Sequence, residues 1–386
     1  MIGIAATFWV SLLAISYAYG GYAAVLWVAS RIVRRREWGD AGLGMQLPAV
    51  TVIISAYNEE KVIGAKIENT LSLDYPPELL EIVVVSDGSS DRTSDIVSKF
   101  ANKGIVLRHY EGRIGKTACL NRALPLAAGA IIVFSDANSA YGPGALRALM
   151  RPFEDGTVGF VTGWTLYDSS AATAAADSIG LYSKLELITK ELESRLGSCI
   201  GADGAIFAIR KELYVPLEDY DINDLVIPLA INLKGARGVL QREAICFEKD
   251  AGSSKGEFRR QVRITNRTIR AIMNYRQLLN PFRFGVISLQ LFSHKVCKLL
   301  VPLFIVALFI SNLMLAELGG CFLIALMTQV IFYSAAGAST QMFKAGLLSR
   351  VANAARTFVV VNAAIALAWV EYFQGETYTT WSPTKR

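Results

Sequence analysis

Long apolar runs lie at both ends of the chain, and between them short apolar runs alternate with polar ones. Residues 3–30 carry no charged side chain. Three further apolar runs cover residues 296–317, 318–340 and about 352–372. A helix needs roughly 20 apolar residues to cross the hydrocarbon layer of a bilayer. The pattern therefore predicts one N-terminal transmembrane helix and two or three C-terminal ones.

Charged residues beside these runs indicate how the chain is oriented. The basic cluster Arg31, Arg34, Arg35 and Arg36 follows the first run instead of preceding it, which argues against a cleaved signal peptide. Because positively charged flanks stay in the cytosol, we expect the middle of the chain there. Residues 281–295 mix apolar and cationic side chains, as a helix lying in the membrane interface does.

The middle of the chain has the pattern of an α/β domain. Short apolar runs at residues 49–56, 81–86, 105–108 and 130–136 alternate with helix-like stretches. This alternation predicts a doubly wound, mostly parallel sheet. Ligands of such sheets bind at the carboxyl ends of the strands, and the polar motifs YNEE, SDGSSDRT and SDANS each follow a strand directly.

A longer helix is predicted at residues 178–196. Apolar residues recur there at helical spacing, at Tyr182, Leu185, Ile188, Leu192 and Leu196. Packing of this face on the sheet is at least as well supported as a direct role of the helix in function. The charged residues of the segment would then lie on the opposite face.

These patterns divide the chain into five parts. The parts are an N-terminal transmembrane helix with its basic flank (1–36), a cytosolic α/β domain (48–256), basic and interfacial helices (257–295), a C-terminal transmembrane bundle (296–372) and a tail (373–386).

Composition argues against several classes of protein. The net charge of +6 could attract nucleic acid, but much of the positive charge flanks the apolar runs and no nucleic-acid motif accompanies it, so no nucleic-acid partner is expected. The five cysteines form no CxxC pair, which argues against a zinc site or a disulfide framework. The GKT run lacks the glycine of a Walker A motif, because Tyr110 stands at that position, and no GxGxxG follows the first strand.

Three carboxylates point to a polar cleft in the α/β domain. Asp87 follows the second strand, Asp136 follows the fourth, and Asp224 precedes an apolar segment. Asp136 and Asn138 offer oxygen donors on alternate residues, which suit Mg²⁺ or Mn²⁺. The same spacing is also common in plain turns, so the spacing alone leaves both interpretations open.

A basic run follows the α/β domain. Arg260, Arg263 and Arg267 fall on one face of a predicted helix. Such a row could clamp a diphosphate, because the planar guanidinium matches paired phosphate oxygens. It could equally rest on anionic lipid headgroups, and charge alone does not separate the two.

The order of the motifs is more specific than any one of them. The segments are VTVIISAYNEE, VVVSDGSSDRT, GKTACLN, VFSDANS, GADGAIFAIRKELY, DINDLVIPLA and EFRRQVR. In this order they resemble the membrane-integrated family-2 inverting glycosyltransferases, a group that includes cellulose, chitin, hyaluronan and poly-N-acetylglucosamine synthases. The resemblance covers about residues 48–300. It implies a GT-A-type fold, a divalent cation and a catalytic domain on the cytosolic side of a bacterial inner membrane.

The resemblance also implies roles for individual residues. Asp224 corresponds to the catalytic base, and Asp136 and Asn138 stand at the D-x-D metal motif, for Mg²⁺ or Mn²⁺. The nucleotide side would comprise Ala56, Tyr57, Glu59, Asp87, Lys116, Arg260 and Arg263, together with Trp381 and Arg386 of a W-x-x-T-x-R-like tail. The acceptor side would comprise Ala202, Asp203 and Gly204.

Three features depart from the family pattern. Asn138 replaces the second metal-motif aspartate, which keeps an oxygen ligand but removes a charge. Ile264 replaces the aromatic acceptor platform of the Q-x-x-R-W motif, which argues against long processive chains. Three full C-terminal spans would also place the tail outside, away from a cytosolic nucleotide. Either one apolar run is re-entrant or interfacial, with the run at about 352–372 the expected exception, or the tail does not touch the nucleotide.

The implied reaction is transfer of a sugar, with inversion, from a UDP-linked donor to a growing glycan in extracellular or capsular polysaccharide synthesis. Single-step transfer to a polyprenyl phosphate or other lipid is the alternative hypothesis for an enzyme. An inactive membrane scaffold is the alternative hypothesis for a protein that is not an enzyme. A glycan or lipid-linked acceptor, the bilayer and accessory export subunits are the implied partners.

Overall fold

The computed structural model describes residues 1–32, 46–168, 174–249, 256–338 and 347–379. Within these ranges eight strands form one sheet. The strands are β1 (Val50–Ala56), β2 (Leu80–Asp87), β3 (Ile105–Tyr110), β4 (Ile131–Asp136), β5 (Ser139–Tyr141), β6 (Val158–Asp168), β7 (Ile206–Arg210) and β8 (Arg237–Lys249).

The sheet is mostly parallel, in the order β3-β2-β1-β4-β7-β6-β8-β5. Strand β1 runs parallel to β2 and β4, and β2 runs parallel to β3, whereas β7 is antiparallel to both its neighbours. Every residue of β1 is buried, as in a strand covered on both faces. The expected α/β class and its first four strands are confirmed.

Helices lie on both sides of this sheet and beyond it. They are α1 (Ile2–Ser16), α2 (Tyr22–Ser30), α3 (Ile63–Leu71), α4 (Thr93–Ser98), α5 (Lys116–Ala123), α6 (Ala145–Met150), α7 (Ala174–Leu196), α8 (Asn223–Leu233), α9 (Glu257–Asn274), α10 (Pro281–Phe284), α11 (Val286–Leu291), α12 (Cys297–Leu315), α13 (Gly320–Gly337) and α14 (Leu347–Phe373). A π-helical turn joins α1 to α2, and another joins α11 to α12.

Alternate residues of β1 face two hydrophobic cores. Ile53 packs in one core with Leu120 of α5 and Ile227 of α8. Ile54 faces the other core with Ile67 of α3. This arrangement holds the carboxyl ends of the parallel strands rigidly at one edge of the domain.

Four helices in the described part of the chain are long and apolar enough to cross a membrane. They are Ile2–Ser30, Val286–Leu318, Gly320–Gly337 and Leu348–Phe373. The second of these begins at Val286 and is therefore continuous with most of the segment 281–295. An N-terminal candidate and three C-terminal ones agree with the number expected from the sequence.

Helices α1, α12 and α13 pack together through aromatic and aliphatic side chains. Phe8 of α1 packs edge-to-face against Phe322 of α13 at 5.2 Å between ring centroids. Leu308 and Leu315 of α12 complete this small cluster. The N-terminus and the turn between α12 and α13 therefore share one end of the molecule.

Helix α14 ends at the opposite side, against the α/β domain. Near its middle, Asn362 donates to the hydroxyl of Tyr19 at 2.8 Å. Near its end, Glu371 accepts a hydrogen bond from Arg259 of α9 at 3.1 Å. The chain leaves α14 beside α9, so this helix delivers the tail to the α/β domain.

Helix α7 contradicts the expectation drawn from its periodicity. Leu192 is buried, but Leu185 and Ile188 are 38% and 41% exposed, whereas Lys190 and Glu193 are buried. The apolar spacing is real, but the charged face turns inward because it finds partners there.

A buried polar network explains this inversion of α7. The Glu193 carboxylate accepts from the Tyr22 hydroxyl and bonds to Nδ1 of His294, both at 2.8 Å. Nε2 of His294 bonds to Glu186 at 2.9 Å, and Lys295 pairs with the same carboxylate at 3.3 Å. Burial of charged groups is tolerated when they are paired and hydrogen-bonded in this way. The network ties α2 and the α11–α12 junction to α7.

Candidate active site

The candidate site lies at the carboxyl ends of β1, β2 and β4. Strand register places Ala56 beside Ser86, and Ser55 beside Asp136. Asp87 is the last residue of β2. The structure thus brings together the first loop and the first two carboxylates that the sequence singled out.

The loops after β1 and β2 are locked to each other. The Asn58 carboxamide accepts from the Ser90 backbone at 2.8 Å, and the Asn58 backbone donates to the Ser89 hydroxyl at 3.1 Å. Asn58 adopts a left-handed conformation with a φ of 53°, which asparagine tolerates better than most residues. The Glu59 backbone donates to Thr93 at 2.8 Å. This interlocking fixes the first loop, which includes Tyr57 and Glu59.

Asp87 organises the loop before α5. Its Oδ1 accepts the backbone N–H groups of Ile114 and Gly115 at 2.9 and 3.0 Å. Its Oδ2 is buried and has no hydrogen-bond partner among the described residues. Buried carboxylate oxygens nearly always have a hydrogen-bond partner in a folded protein. This oxygen is therefore available to a donor group of a ligand.

An aromatic and a cationic side chain stack beside Asp87. The guanidinium of Arg113 lies 4.0 Å from the ring centroid of Tyr57, within the range of a cation–π contact. Gly88 packs closely on the same loop, since a Cβ there would lie 2.3 Å from the carbonyl oxygen of Gly112. The surface next to Asp87 therefore combines a flat ring with a positive charge.

The oxygens at the end of β4 suit a hard cation. The Asp136 carboxylate is 35% exposed and already pairs with a positive charge, the Lys116 ammonium, at 2.7 Å. No cluster of three or more His, Cys, Asp or Glu side chains in the described ranges is placed to hold a metal ion. The protein would therefore supply Asp136 and Asn138, and substrate phosphates would supply further oxygens, as is usual for Mg²⁺.

A buried lysine lies behind these oxygens, and sequence reasoning missed it. The Lys66 ammonium donates to Ser139 at 3.2 Å and lies 3.9 Å from the ring centroid of Tyr141. Burial lowers the pKa of Lys66 to about 8, although Cys246, Asp136 and Glu248 oppose the shift. Nothing in the local sequence of α3 distinguishes this lysine from a surface one.

Asp224 lies in the first turn of α8, next to the expected acceptor loop. Its backbone carbonyl accepts from the Ala202 backbone N–H at 2.7 Å. A Cβ at Gly204 would lie 3.2 Å from Oδ2 of Asp224, so a larger residue there would crowd the carboxylate. Asp203 is held separately, because its backbone donates to Thr162 at 2.8 Å. The loop of Ala202, Asp203 and Gly204 therefore lies against Asp224.

The surroundings of Asp224 set its charge. Burial raises the pKa of this carboxyl, Lys116 and Lys190 lower it, and Asp203 and Asp136 raise it again. Its Oδ1 is buried without a hydrogen-bond partner among the described residues. Asp224 is thus electrostatically coupled to the Asp136–Lys116 pair, which places the third carboxylate at the same cleft.

Lys190 of α7 is the second residue that the sequence did not reveal. Its ammonium donates to the carbonyl of Ala202 at 3.1 Å. Sequence periodicity placed Lys190 on the outer, charged face of its helix. Only the inverted orientation of α7 brings this lysine beneath the acceptor loop.

The arginines of α9 divide into different environments. Arg260 pairs with Glu257 of its own helix at 3.1 Å. Arg267 donates to the backbone carbonyls of Tyr220 and Asp221 and so fixes the segment before α8. Arg263 is half-buried, and burial together with the neighbouring Arg260 lowers its pKa. Of the three, Arg263 is the one whose position near the tail suits a phosphate.

The tail returns to the site. Tyr378 donates to Glu371 at 2.7 Å. A Cβ at Gly115 would lie 2.8 Å from the carbonyl oxygen of Thr379, so the tail touches the loop that Asp87 holds. Trp381 and Arg386, expected on the nucleotide side, lie outside the described residues.

Comparison with known proteins adds to this geometry. Residues 51–214 match the protein family described as glycosyl transferase family 2. The probable glycosyltransferase YdaM of Bacillus subtilis (strain 168) is 38% identical over 99 residues, which are 24% of this chain and 24% of that protein. The beta-monoglucosyldiacylglycerol synthase of Trichormus variabilis is 33% identical over 119 residues, 30% of this chain and 25% of the synthase.

A longer but weaker match covers more of the chain. The poly-beta-1,6-N-acetyl-D-glucosamine synthase of Staphylococcus aureus (strain COL) is 23% identical over 224 residues, 56% of this chain and 54% of that synthase. These matches therefore span between about a quarter and about half of the relatives' lengths.

One solved structure resembles nearly the whole chain. The mannosyltransferase PcManGT from Pyrobaculum calidifontis, in complex with GDP-Man and Mn²⁺, has a TM-score of 0.69 and 21% identity, covering 96% of this chain and 99% of that one. This likeness confirms the expected GT-A-type fold. The chain is thus similar to the glycosyl transferase family 2 model over residues 51–214, and its fold is of the GT-A type.

Proposed function

We propose that this protein is an inverting hexosyltransferase of a bacterial inner membrane, which transfers a sugar from a UDP-linked donor to a growing glycan. The observation that carries the proposal is the position of Asp224. Its backbone holds the acceptor loop at Ala202, and its carboxylate is coupled to Asp136 and Lys116. A carboxylate between a donor side and an acceptor side is placed to take a proton from the acceptor hydroxyl.

The donor would lie across the carboxyl ends of β1, β2 and β4. The unpaired Oδ2 of Asp87 supports a hydrogen bond to the nucleoside. The Tyr57 ring offers a flat surface beside it. Lys116 and Arg263 would meet the diphosphate, where negative charge develops as the leaving group departs.

Asp136 and Asn138 would hold Mg²⁺ or Mn²⁺. When bound, such a cation neutralises the diphosphate leaving group as a Lewis acid. In the absence of substrate, the Lys116 ammonium neutralises Asp136 at 2.7 Å. Lys116 is therefore close enough to move between this carboxylate and a phosphate oxygen.

The proposed reaction is a single displacement. The acceptor oxygen bonds to the anomeric carbon from the face opposite the diphosphate, and the bond from that carbon to the phosphate oxygen breaks. The acceptor proton passes to Asp224. Because attack and departure occur on opposite faces, the anomeric configuration inverts.

Single-step transfer to a lipid acceptor is the second candidate. Ile264 replaces the aromatic residue that would support a sugar chain, which favours short products. Leu185 and Ile188 are exposed on α7, within one or two turns of Lys190. The Lys190 ammonium in turn donates to Ala202 of the proposed acceptor loop. An acceptor could therefore arrive from the bilayer along this helix. The mass distribution of products made by purified protein separates one added sugar from a polymer.

Replacing Asp224 by asparagine tests the proposal. Asp224→Asn should abolish transfer, by at least about 10²-fold as is typical for a positioned base, while leaving nucleotide binding within a few-fold of wild type. Release of nucleoside diphosphate from a panel of nucleotide sugars, with Mg²⁺ or Mn²⁺, measures transfer. Calorimetric titration measures nucleotide binding.

Asp219→Asn is the matched control, because this exposed aspartate lies five residues away in the same segment. It should keep wild-type turnover. Turnover of Asp224→Asn within a few-fold of wild type would remove Asp224 as the base. Absence of nucleotide binding to the wild-type protein would favour the inactive scaffold.

A further inference from the structure

Asn138, which occupies the position of the second metal-motif aspartate, has a charged partner on a distant strand. Strand β5 pairs antiparallel with β8, and the register places Ser139 opposite Glu248. From there the Glu248 carboxylate reaches the neighbouring residue. Asn138 donates its Nδ2–H to Oε1 of Glu248 at 3.1 Å.

This contact fixes which atom of Asn138 faces the site. A carboxylate only accepts hydrogen bonds, so the amide nitrogen must face Glu248 and the amide oxygen must point elsewhere. No hydrogen bond from the described residues reaches Oδ1 of Asn138. A symmetrical carboxylate would need no such orientation, but a carboxamide ligand does, because its nitrogen cannot bind a cation.

Lys66 stabilises the same corner from behind. Its ammonium, 3% exposed, contacts Ser139 at 3.2 Å. Ser139 in turn donates to the backbone carbonyl of Asp136 at 2.8 Å. The buried positive charge attracts both Asp136 and Glu248. The Lys66 charge therefore offsets the repulsion between the Asp136 and Glu248 carboxylates near Asn138.

We propose that Glu248 is a positioning residue of the cation site, which holds the Asn138 carboxamide with its oxygen turned toward a bound cation. The inference rests on the proposed function, in which Asp136 and Asn138 hold that cation. It adds to the cation site a residue of β8, Glu248, that lies outside the metal motif of Asp136 and Asn138. Outer partners that orient a ligand in this way typically contribute about 10–100-fold to metal affinity.

A double-mutant cycle tests the proposal. Mn²⁺ binding is measured by electron paramagnetic resonance of the free ion, on the full chain in lipid nanodiscs. The nucleoside diphosphate present is UDP or GDP, whichever the wild-type protein binds more tightly. Glu248→Gln should weaken Mn²⁺ binding about tenfold in the wild-type background. In the Asn138→Asp background the same change should have no effect or strengthen binding, because a carboxylate ligand needs no orienting partner.

The controls separate this role from two others. Glu243→Gln lies on the same strand, where Glu243 pairs with Arg151, and should leave Mn²⁺ affinity unchanged. Equal losses from Glu248→Gln in both backgrounds would make Glu248 a direct ligand and overturn the positioning role. Wild-type affinity in Glu248→Gln would overturn it as well. Thermal unfolding of each variant without Mn²⁺ identifies any loss that comes from the fold.

The failure of the proposed function has a different signature. Asp136→Asn should weaken Mn²⁺ binding more strongly than Glu248→Gln. If Asp136→Asn binds Mn²⁺ as the wild type does, the cation site itself is misplaced. If Asp136→Asn weakens binding and Glu248→Gln does not, the cation site stands and the role of Glu248 falls.

Discussion

The carboxyl of Asp224 titrates in a setting that ties the proposed reaction to pH. Burial raises its pKa above the usual value of about 3.9. A base must be ionised to accept a proton, so activity should be full above the raised pKa and fall tenfold per pH unit below it. The dependence of kcat/KM on pH reports this ionisation in the free enzyme.

A variant of α7 tests the cause of this pH dependence. Lys190 lowers the pKa of Asp224, so Lys190→Met should move the acid limb of the profile to higher pH. Lys184→Met is the control, because Lys184 is exposed on the same helix, and its profile should match that of the wild type. Profiles that coincide for all three proteins would show that Lys190 does not act on the base.

At the residue scale, site residues that directly follow a strand can be predicted from the sequence. Site residues that lie inside other helices or strands cannot. Asp87 and Asp136 end parallel strands, and the topology of such sheets brings strand ends together. Lys66, Lys190 and Glu248 lie within a helix or strand that reaches the cleft only through tertiary packing. No spacing rule connects Glu248 with Asn138, which lies 110 positions earlier in the chain.

Helix α7 shows how an element can be found correctly and oriented wrongly. Its apolar spacing predicts the helix, which spans Ala174–Leu196. The assumption that charged faces meet water fails here, because Glu186 and Glu193 find partners on α2 and at the α11–α12 junction. Glu193 is buried among these partners, whereas Leu185 and Ile188 remain exposed. Single-sequence periodicity cannot distinguish a lipid-facing stripe from a core-facing one.

The polar network of α7 should contribute measurably to stability. Glu193→Gln replaces the charged acceptor that Tyr22 and His294 share. Hydrogen bonds to charged groups contribute roughly 1.5–3 kcal/mol, so the apparent Tm in detergent or nanodiscs should fall by several degrees. The exposed Glu154 gives the matched control, Glu154→Gln, which should keep the wild-type Tm. An unchanged Tm for both variants would show that the network is energetically neutral.

The second half of the sheet escaped prediction for physical reasons. Strand β5 has three residues, too few for a periodic signal. Strand β8 carries charged residues along its length and pairs with both β5 and β6. Its structure comes from pairing with neighbours and not from an apolar run. The buried parallel strands, by contrast, can be predicted because they are continuous apolar segments.

At the scale of the whole molecule, the N-terminus and the last described residues lie at opposite ends of the structure. Phe8 packs beside the α12–α13 turn, whereas Thr379 reaches Gly115 in the α/β domain. With the α/β domain in the cytosol, the N-terminus lies outside and the tail inside. Helix α14 is one continuous helix, Leu347–Phe373, and it ends beside Arg259 of α9, on the side that a tail at the nucleotide requires.

Epitope tags test this topology. A tag before Met1 should be cut by protease added to intact spheroplasts, because the N-terminus lies outside. A tag after Arg386 should resist until the membrane is opened. Cleavage of the C-terminal tag in intact spheroplasts would place the tail outside and exclude its contact with Gly115 on the cytosolic side.

The shared network of α7 has a practical consequence for anyone who wishes to isolate the catalytic part. A version trimmed to residues 46–285 would keep Glu193 and Glu186 but lose Tyr22 and His294, the groups that satisfy them. Leu185 and Ile188, which are exposed on the same helix, would add apolar surface to these unsatisfied polar groups. Cutting away the membrane helices should therefore yield an aggregating fragment, and the smallest soluble unit would need α7 redesigned on both faces.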